Sequence, residues 1–302
     1  MKLGEGTVVV VTGAGSGIGL AMSHSFASRG CSVVLADVQT DALEAAAAAI
    51  EEHGVDSMTV RTDVSDKDDV AALAQATLDQ FGSVHVVCNN AGVAGGGDPW
   101  FGPIEGWEWT MGVNFWGVVH GCRAFLPHLV ASGGGHIVNT ASMAGLYPGF
   151  GPSYDASKHA VVAISENLHH TMRDARLPVG VSVLCPGWVR TGILDAERNW
   201  PEEYGDVPQR DAGAEIARTY VKRAIDEGMQ PAAVADLVVG AVEDDRYWVF
   251  PHPDFVEIAM ERFASIGEGA NPVRPEETPG MPPRSQVIAE VMAAMGMAPG
   301  DT

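Results

Sequence analysis

Positive charge is scarce in this 302-residue chain: 18 Lys and Arg stand against 39 Asp and Glu, a net charge of −21. Such an acidic chain is a poor partner for nucleic acid or for an anionic membrane surface. Cysteine is scarce too. Cys31, Cys88, Cys122 and Cys185 are far apart, with neither metal-type nor redox spacing, and each lies among apolar neighbours. Free buried thiols in a reducing compartment are the expectation, and no metal site is expected. No apolar run reaches the length of about 18 residues that a membrane span needs. The opening "MKLGEGTVVVVTG" has no signal-peptide layout. These absences predict a cytoplasmic protein with no membrane partner. No internal repeat or low-complexity tract is present apart from the Ala run at 45–49.

What is present is an ordinary apolar content of 46%, arranged as alternating strand and helix signals. "TVVVVTG", "CSVVLAD", "SMTVRTDV", "VHVVCNNAG", "GHIVNTAS", "VGVSVLCPG" and "RYWVF" read as seven strands, most of them apolar on both faces. Helical patterns separate the first six. One is closed by Gly54; another starts at "SDKD", where Ser65 and Asp68 suit a capping box, and turns Val70, Leu73, Thr77 and Phe81 inward. Further helices are expected up to about residue 131 and from Ser153 to Ala175. This β-α-β alternation predicts an α/β fold, a doubly wound seven-stranded parallel sheet covered by helices on both faces. Residues 1–250 form that single domain. Residues 188–230 are a polar insertion with the composition of a lid, and 251–302 are a C-terminal extension.

Two stretches carry chemistry. "TGAGSGIG", from Thr12 to Gly19, joins the first strand to the first helix. Glycines there let backbone approach a pyrophosphate, and the helix N-terminus offers N–H groups. Asp37 ends the second strand, where an acid accepts hydrogen bonds from ribose hydroxyls and repels a 2′-phosphate. Neither Ser16 nor Val38 is basic, so NAD(H) is expected over NADP(H). A helix-capping role for Asp37 is set aside because Thr40 can cap that helix. The second stretch, "GFGPSYDASKHA", places Tyr154 four residues before Lys158, on one helix face, among small residues. At about 4 Å and an effective dielectric of about 20, the attraction between ammonium and phenolate is about 4 kcal/mol. That is enough to lower the tyrosine pKa by as much as about three.

In this order, these motifs resemble the short-chain dehydrogenase/reductase family, in its common type of about 250 residues. The resemblance runs from Thr7 to about Phe250. It rests on Thr12-Gly13-x-x-x-Gly17-x-Gly19, Asp63-Val64, Asn89-Asn90-Ala91-Gly92, Asn114, Ser142, Tyr154-x-x-x-Lys158 and Pro186-Gly187 with Thr191. It implies a Rossmann-type fold and NAD as cofactor, held by Gly13, Ser16, Gly17, Ile18, Gly19, Asp37, Asp63, Val64, Asn90, Gly92, Tyr154, Lys158, Pro186, Gly187, Val189 and Thr191. It also implies catalytic roles for Asn114, Ser142, Tyr154 and Lys158. Tyr154 is the general acid/base and Lys158 holds the nicotinamide ribose and lowers the tyrosine pKa. Ser142 steadies the substrate oxygen, and Asn114 holds water linking Lys158 to solvent. A non-catalytic sensor or scaffold of this fold would typically lack Tyr154 or Lys158, and an epimerase or dehydratase usually carries a different glycine motif.

Trp188, Met143, Leu146, Tyr147 and Phe150 predict an apolar, aromatic pocket, hence a small lipophilic substrate: a bulky or aromatic secondary alcohol or its ketone. In the tail, "FVEIAMERFASI" and "SQVIAEVMAAMGM" have helical spacing, whereas "GEGANPVRPEETPGMPPR" has the composition of a disordered linker. The first tail helix is expected to pack against the lid and bound the pocket. The family resemblance implies a homodimer or homotetramer, with Trp109, Val113, Val118 and Phe125 as candidate interface residues.

Overall fold

The computed structural model describes residues 1–98 and 100–296. Seven parallel strands form one sheet in the order β3-β2-β1-β4-β5-β6-β7: β1 Val8–Thr12, β2 Ser32–Asp37, β3 Ser57–Arg61, β4 Val86–Asn89, β5 Gly135–Thr140, β6 Val179–Leu184 and the short β7 Trp248–Val249. Alternation along a strand explains how both faces are filled. In β1, Val9 and Val11 join one core with Met22 and Phe26 of α1 (Gly17–Ala27) and Ile50 of α2 (Thr40–Glu51). Val8 and Val10 join the other core, with Leu73 of α3 (Lys67–Phe81). All four valines are almost completely buried, each worth about 1.5–3 kcal/mol.

On that second face, α4 (Glu105–Met111) runs through a π-helical turn, Gly112–Trp116, into α5 (Gly117–Ala131); α6 (Pro152–Asp174) lies alongside. Trp109, Val118 and Phe125 are all buried within their own subunit, so they are not available to an interface. The exposed aromatic of this region is Trp116, 50% exposed. The α3 helix is capped by Asp66, whose carboxylate accepts from the Asp68 N–H at 2.8 Å. Ser65 is not its cap: its hydroxyl and N–H turn back to Asp63.

The segment read as a polar insertion contains two 3-10 turns, Ile193–Asn199 and Glu202–Tyr204, and a full helix, α7 (Ala212–Asp226), capped by Asp211. A second helix, α8 (Pro231–Asp244), packs on α1 and buries Val234, Val238, Val239 and Val242 completely. Its Pro at the first position and near-continuous apolar face are a legible start signal.

In the tail, α9 (Pro253–Gly267) and α10 (Arg284–Ala294) are both helical; residues 297–302 lie outside the described residues. The expected packing is exchanged between them. Phe255 of α9 is buried against Gly187 and Trp188, and Arg262 donates to the Leu146 carbonyl at 2.9 Å, so α9 seals the core. It is α10 that lies on the α7 helix.

Candidate active site

The strand order reverses between β1 and β4, and the crevice at the carboxyl ends of these strands is where such sheets bind ligands. The glycine turn is forced at two positions. Gly13 has φ +67°, and a Cβ there would stand 2.9 Å from Ala91 Cα. A Cβ on Gly19 would stand 2.1 Å from the Gly13 carbonyl oxygen, so the first helix turn packs directly on the loop. Ser16 precedes α1 without a side-chain cap, leaving the first N–H groups for a ligand. The opposite bank is pinned by Thr12, whose hydroxyl accepts from the N–H groups of Asn90 (2.9 Å) and Ala91 (3.1 Å).

Asp37 stands at the end of β2. Its two carboxylate oxygens accept from the N–H groups of Gly15 (2.9 Å) and Gln39 (3.0 Å). It therefore shapes the loop before α2, a job the sequence reading gave to Thr40; Thr40 is the first helical residue and Gln39 the uncapped one before it. Each oxygen of Asp37 keeps a lone pair, and the residue lines the cavity. An acid so placed fits a ribose diol.

The polar cluster forms where β5 meets α6. Ser142 follows β5 in extended conformation; its hydroxyl accepts from the Ala144 N–H and donates to the Pro186 carbonyl. Lys158 is buried, with its ammonium on the Thr140 carbonyl at 3.0 Å and 5.6 Å from the centre of the Tyr154 ring. Burial lowers the Lys158 pKa to about 8. Burial raises that of Tyr154 to about 12; its hydrogen bond with Ser142 opposes the rise and nearby Asp155 adds to it. This overturns the expected lowering of the tyrosine pKa. The ammonium faces the ring and donates to the Thr140 carbonyl, and desolvation of the phenol outweighs what attraction remains.

Asn114 sits within the π-helical turn and is fully buried. Its amide accepts from the Val93 N–H (2.8 Å) and donates to the Val93 carbonyl (3.0 Å) and the Ser157 hydroxyl (3.1 Å). Both of its donors are thus committed, and its side chain ties the strand-four loop to α6 beside Tyr154.

A cavity of about 880 Å³ joins these groups. Its wall includes Gly13, Ser16, Gly17, Ile18, Asp37, Asp63, Val64, Asn90, Gly92, Ser142, Tyr154, Lys158, Pro186, Gly187, Val189 and Thr191. Gly19 and Asn114 support it from behind. Of the expected substrate-side residues, Tyr147, Phe150 and Trp188 line the cavity, whereas Met143 and Leu146 belong to the core. Residues missed from sequence complete it. Asp155 receives the N–H groups of Gly149, Phe150 and Gly151 and so fixes the loop entering α6; an acid in a first helical turn after "GFG" was the available signal. Ala217, Val221 and Ile225 of α7 form a further wall. So does the tail from Arg274 to Ile288, including much of the stretch expected to be disordered.

The short chain dehydrogenase family model matches residues 7–202. The 1-deoxy-11-beta-hydroxypentalenate dehydrogenase of Streptomyces exfoliatus is 37% identical over 285 residues, 92% of this chain and 96% of that one. The 2-(R)-hydroxypropyl-CoM dehydrogenase of Xanthobacter autotrophicus is 36% identical over 248 residues, 80% and 93% of the two chains. A solved short chain dehydrogenase/reductase from Burkholderia phymatum, in complex with NAD, superposes with a TM-score of 0.88 at 40% identity, covering 92% of this chain and all of that one. The chain belongs to the short-chain dehydrogenase/reductase family, a family of oxidoreductases with the Rossmann-type fold. Among the described residues no helix is long and apolar enough to cross a membrane, and no cluster of three or more His, Cys, Asp or Glu side chains forms a metal site.

Proposed function

We propose that this protein is an NAD(H)-dependent dehydrogenase/ketoreductase that interconverts a bulky lipophilic secondary alcohol and its ketone. The observation that carries this reading is the convergence of Ser142, Tyr154 and Lys158 on the cavity that also holds the glycine turn and Asp37. The relatives support it, two being named for hydroxylated substrates and one solved with NAD. Bound NAD⁺ would accept a hydride, and NADH would supply one. The dinucleotide would lie on the Gly13–Gly19 turn, with its adenosine ribose at Asp37 and its nicotinamide between Thr191 and Lys158. The Tyr154 hydroxyl gives its proton to the ketone oxygen, or takes one from the alcohol, as general acid/base. Ser142 donates a hydrogen bond to the same oxygen. Lys158 and the oxidised nicotinamide each add positive charge that counters the desolvation of the phenol. Asn114 is a positioning residue, holding Ser157 and the Gly92–Val93 backbone against Lys158.

A panel of lipophilic, aromatic and aliphatic secondary alcohols with NAD⁺, read by NADH absorbance, tests the reading. Tyr154→Phe keeps the shape and removes the proton. It should bind NADH nearly as wild type and lose turnover by at least about a hundredfold. Turnover within a fewfold of wild type would take Tyr154 out of this role. The same reading includes a homodimer at least, formed through the α4–α5 surface that exposes Trp116; a monomer in light scattering at micromolar concentration would contradict that part.

A further inference from the structure

Proton and hydride transfer require nothing from the outer rim of the cavity, yet charge is placed there. Beyond Tyr154 the substrate wall is apolar, with Trp188, Ile193, Val221, Ile225 and Val287 along it. At its exposed edge stand Arg274, Glu276 and Arg284, all from the tail and all outside the family match. Glu276 is already engaged. Its carboxylate accepts from the Ser285 N–H at 3.0 Å and from the Ser285 hydroxyl, and it lies near Arg284. Arg274 makes no hydrogen bond or ion pair among the described residues. The other guanidinium on the cavity wall, Arg198, donates to the carbonyls of Gly192 and Asp195. The acids Asp37 and Asp63 belong to the opposite, adenosine end. The outer rim thus carries one net positive charge in a chain of net charge −21.

The rim is also held in place. The Arg284 N–H donates to the Glu276 carbonyl at 2.8 Å, closing the loop between them. The Trp188 indole N–H donates to the Pro279 carbonyl at 2.7 Å, clamping that loop to the residue after Pro186-Gly187. Gly280 permits the clamp: it has φ +75°, and a Cβ there would crowd Trp188 at 3.1 Å. Such an arrangement, apolar along its length and cationic at the far end, is complementary to an amphipathic anion.

We propose that Arg274 and Arg284, both on the exposed rim of the cavity, form a subsite for a carboxylate carried by the substrate at the end remote from its reacting carbon. The substrate class is then a hydroxy- or oxo-substituted lipophilic carboxylic acid. This rests on the alcohol–ketone reading above and narrows it. The test uses matched probes: lithocholate and its methyl ester, and 4-(1-hydroxyethyl)benzoate and its methyl ester, each with NAD⁺. Wild type should show higher kcat/KM for the acid of a pair than for its ester, with the advantage shrinking as salt is raised. In Arg274→Gln with Arg284→Gln, KM for the acid should rise by about fivefold, the upper size expected for an exposed ion pair. The ester and NAD⁺ should keep their constants. Equal use of acids and esters by wild type, or an unchanged acid-to-ester ratio in the double variant, would overturn the subsite and leave the alcohol reading standing. Turnover of neither member of either pair would overturn the subsite and count against the reading beneath it.

Discussion

The two ends of the cavity are built from different materials. At the cofactor end the wall is largely backbone: the Gly13–Gly19 turn, the Asn90–Gly92 strand exit and the Pro186-Gly187 turn, resting on completely buried strands. At the substrate end it is largely side chain, supplied by the segments after residue 188, and it is held by contacts nearer the surface. Gln39 donates to the Asn199 side chain at 2.6 Å, Glu197 accepts from the Gly96 N–H at 3.3 Å and pairs with Arg210, and Trp188 reaches Pro279. A backbone wall restricts which residues can stand behind it. A Cβ at Gly19 would meet an immovable carbonyl, whereas a side-chain wall can be repacked. The first end therefore fixes what the protein handles in common with its relatives. The second is free to choose the substrate.

The sharpest way to probe this difference is at the junction of the two ends, Lys158. Its folded pKa of about 8 lies below its ordinary value of 10.5. Where the unfolded chain binds more protons than the folded one, stability rises with pH. Below pH 8 the lysine is charged in both states, and its burial costs up to about 3 kcal/mol. That cost fades between pH 8 and 10.5 and is absent above. Lys158→Met should therefore lose turnover by at least about a hundredfold. It should also melt several degrees higher at pH 7, with the gain disappearing as pH approaches 10.5. Scanning calorimetry across pH reads this directly. A variant less stable than wild type at pH 7 would show that the hydrogen bond to Thr140 outweighs the burial cost.

The same division explains what was legible in the sequence. The seven strands follow from paired-face apolar runs, and the cofactor-side residues follow from glycines that have no steric alternative. The α7 helix was hidden because its exposed face makes the segment read as polar, and its inner face meets the cavity, the tail loop and α10 rather than the main core. The tail linker looked disordered because its order comes from the Trp188 indole hydrogen bond and a few local bonds about Glu276 and Thr278, none of which leaves a periodic pattern. Tyr154 and Lys158 were found by spacing, but spacing carries no information about desolvation. The expected direction of the tyrosine pKa was therefore reversed. Likewise α9 and α10 have similar helical patterns, and composition alone could not tell which of the two packs into the core.

Asp37 tests the cofactor end with a smaller effect. Asp37→Asn removes the charge and leaves one acceptor oxygen where two carboxylate oxygens serve the N–H groups of Gly15 and Gln39. A hydrogen bond to a charged group contributes about 1.5–3 kcal/mol, so kcat/KM for NAD⁺ should fall by about tenfold to a hundredfold. Adding Val38→Arg should shift the preference toward NADP⁺. Wild type that prefers NADP⁺ would refute the assignment of Asp37 to the ribose.

The smallest effect, and the one that separates the two ends most cleanly, is expected from the shorter of two deletions of the tail. Deleting residues 252–302 removes α9 along with the rest. It strips Phe255 from Gly187 and removes His252, whose ring nitrogen accepts from the Gly187 N–H at 3.0 Å. Loss of a buried Phe typically costs about 3–5 kcal/mol, so this chain should be broadly destabilised and poor with every substrate. Deleting residues 270–302 leaves α9 in place and removes only the outer wall, the Pro279 clamp and α10. That chain should melt within a few degrees of wild type and keep its KM for NAD⁺. Its KM for a bulky alcohol should rise severalfold, while a small alcohol such as 2-butanol is handled as before. The split between large and small substrates is the diagnostic, since general damage would raise both together. If the shorter deletion treats large and small alcohols alike, the tail loop is not part of the substrate site, and α7 alone must close it.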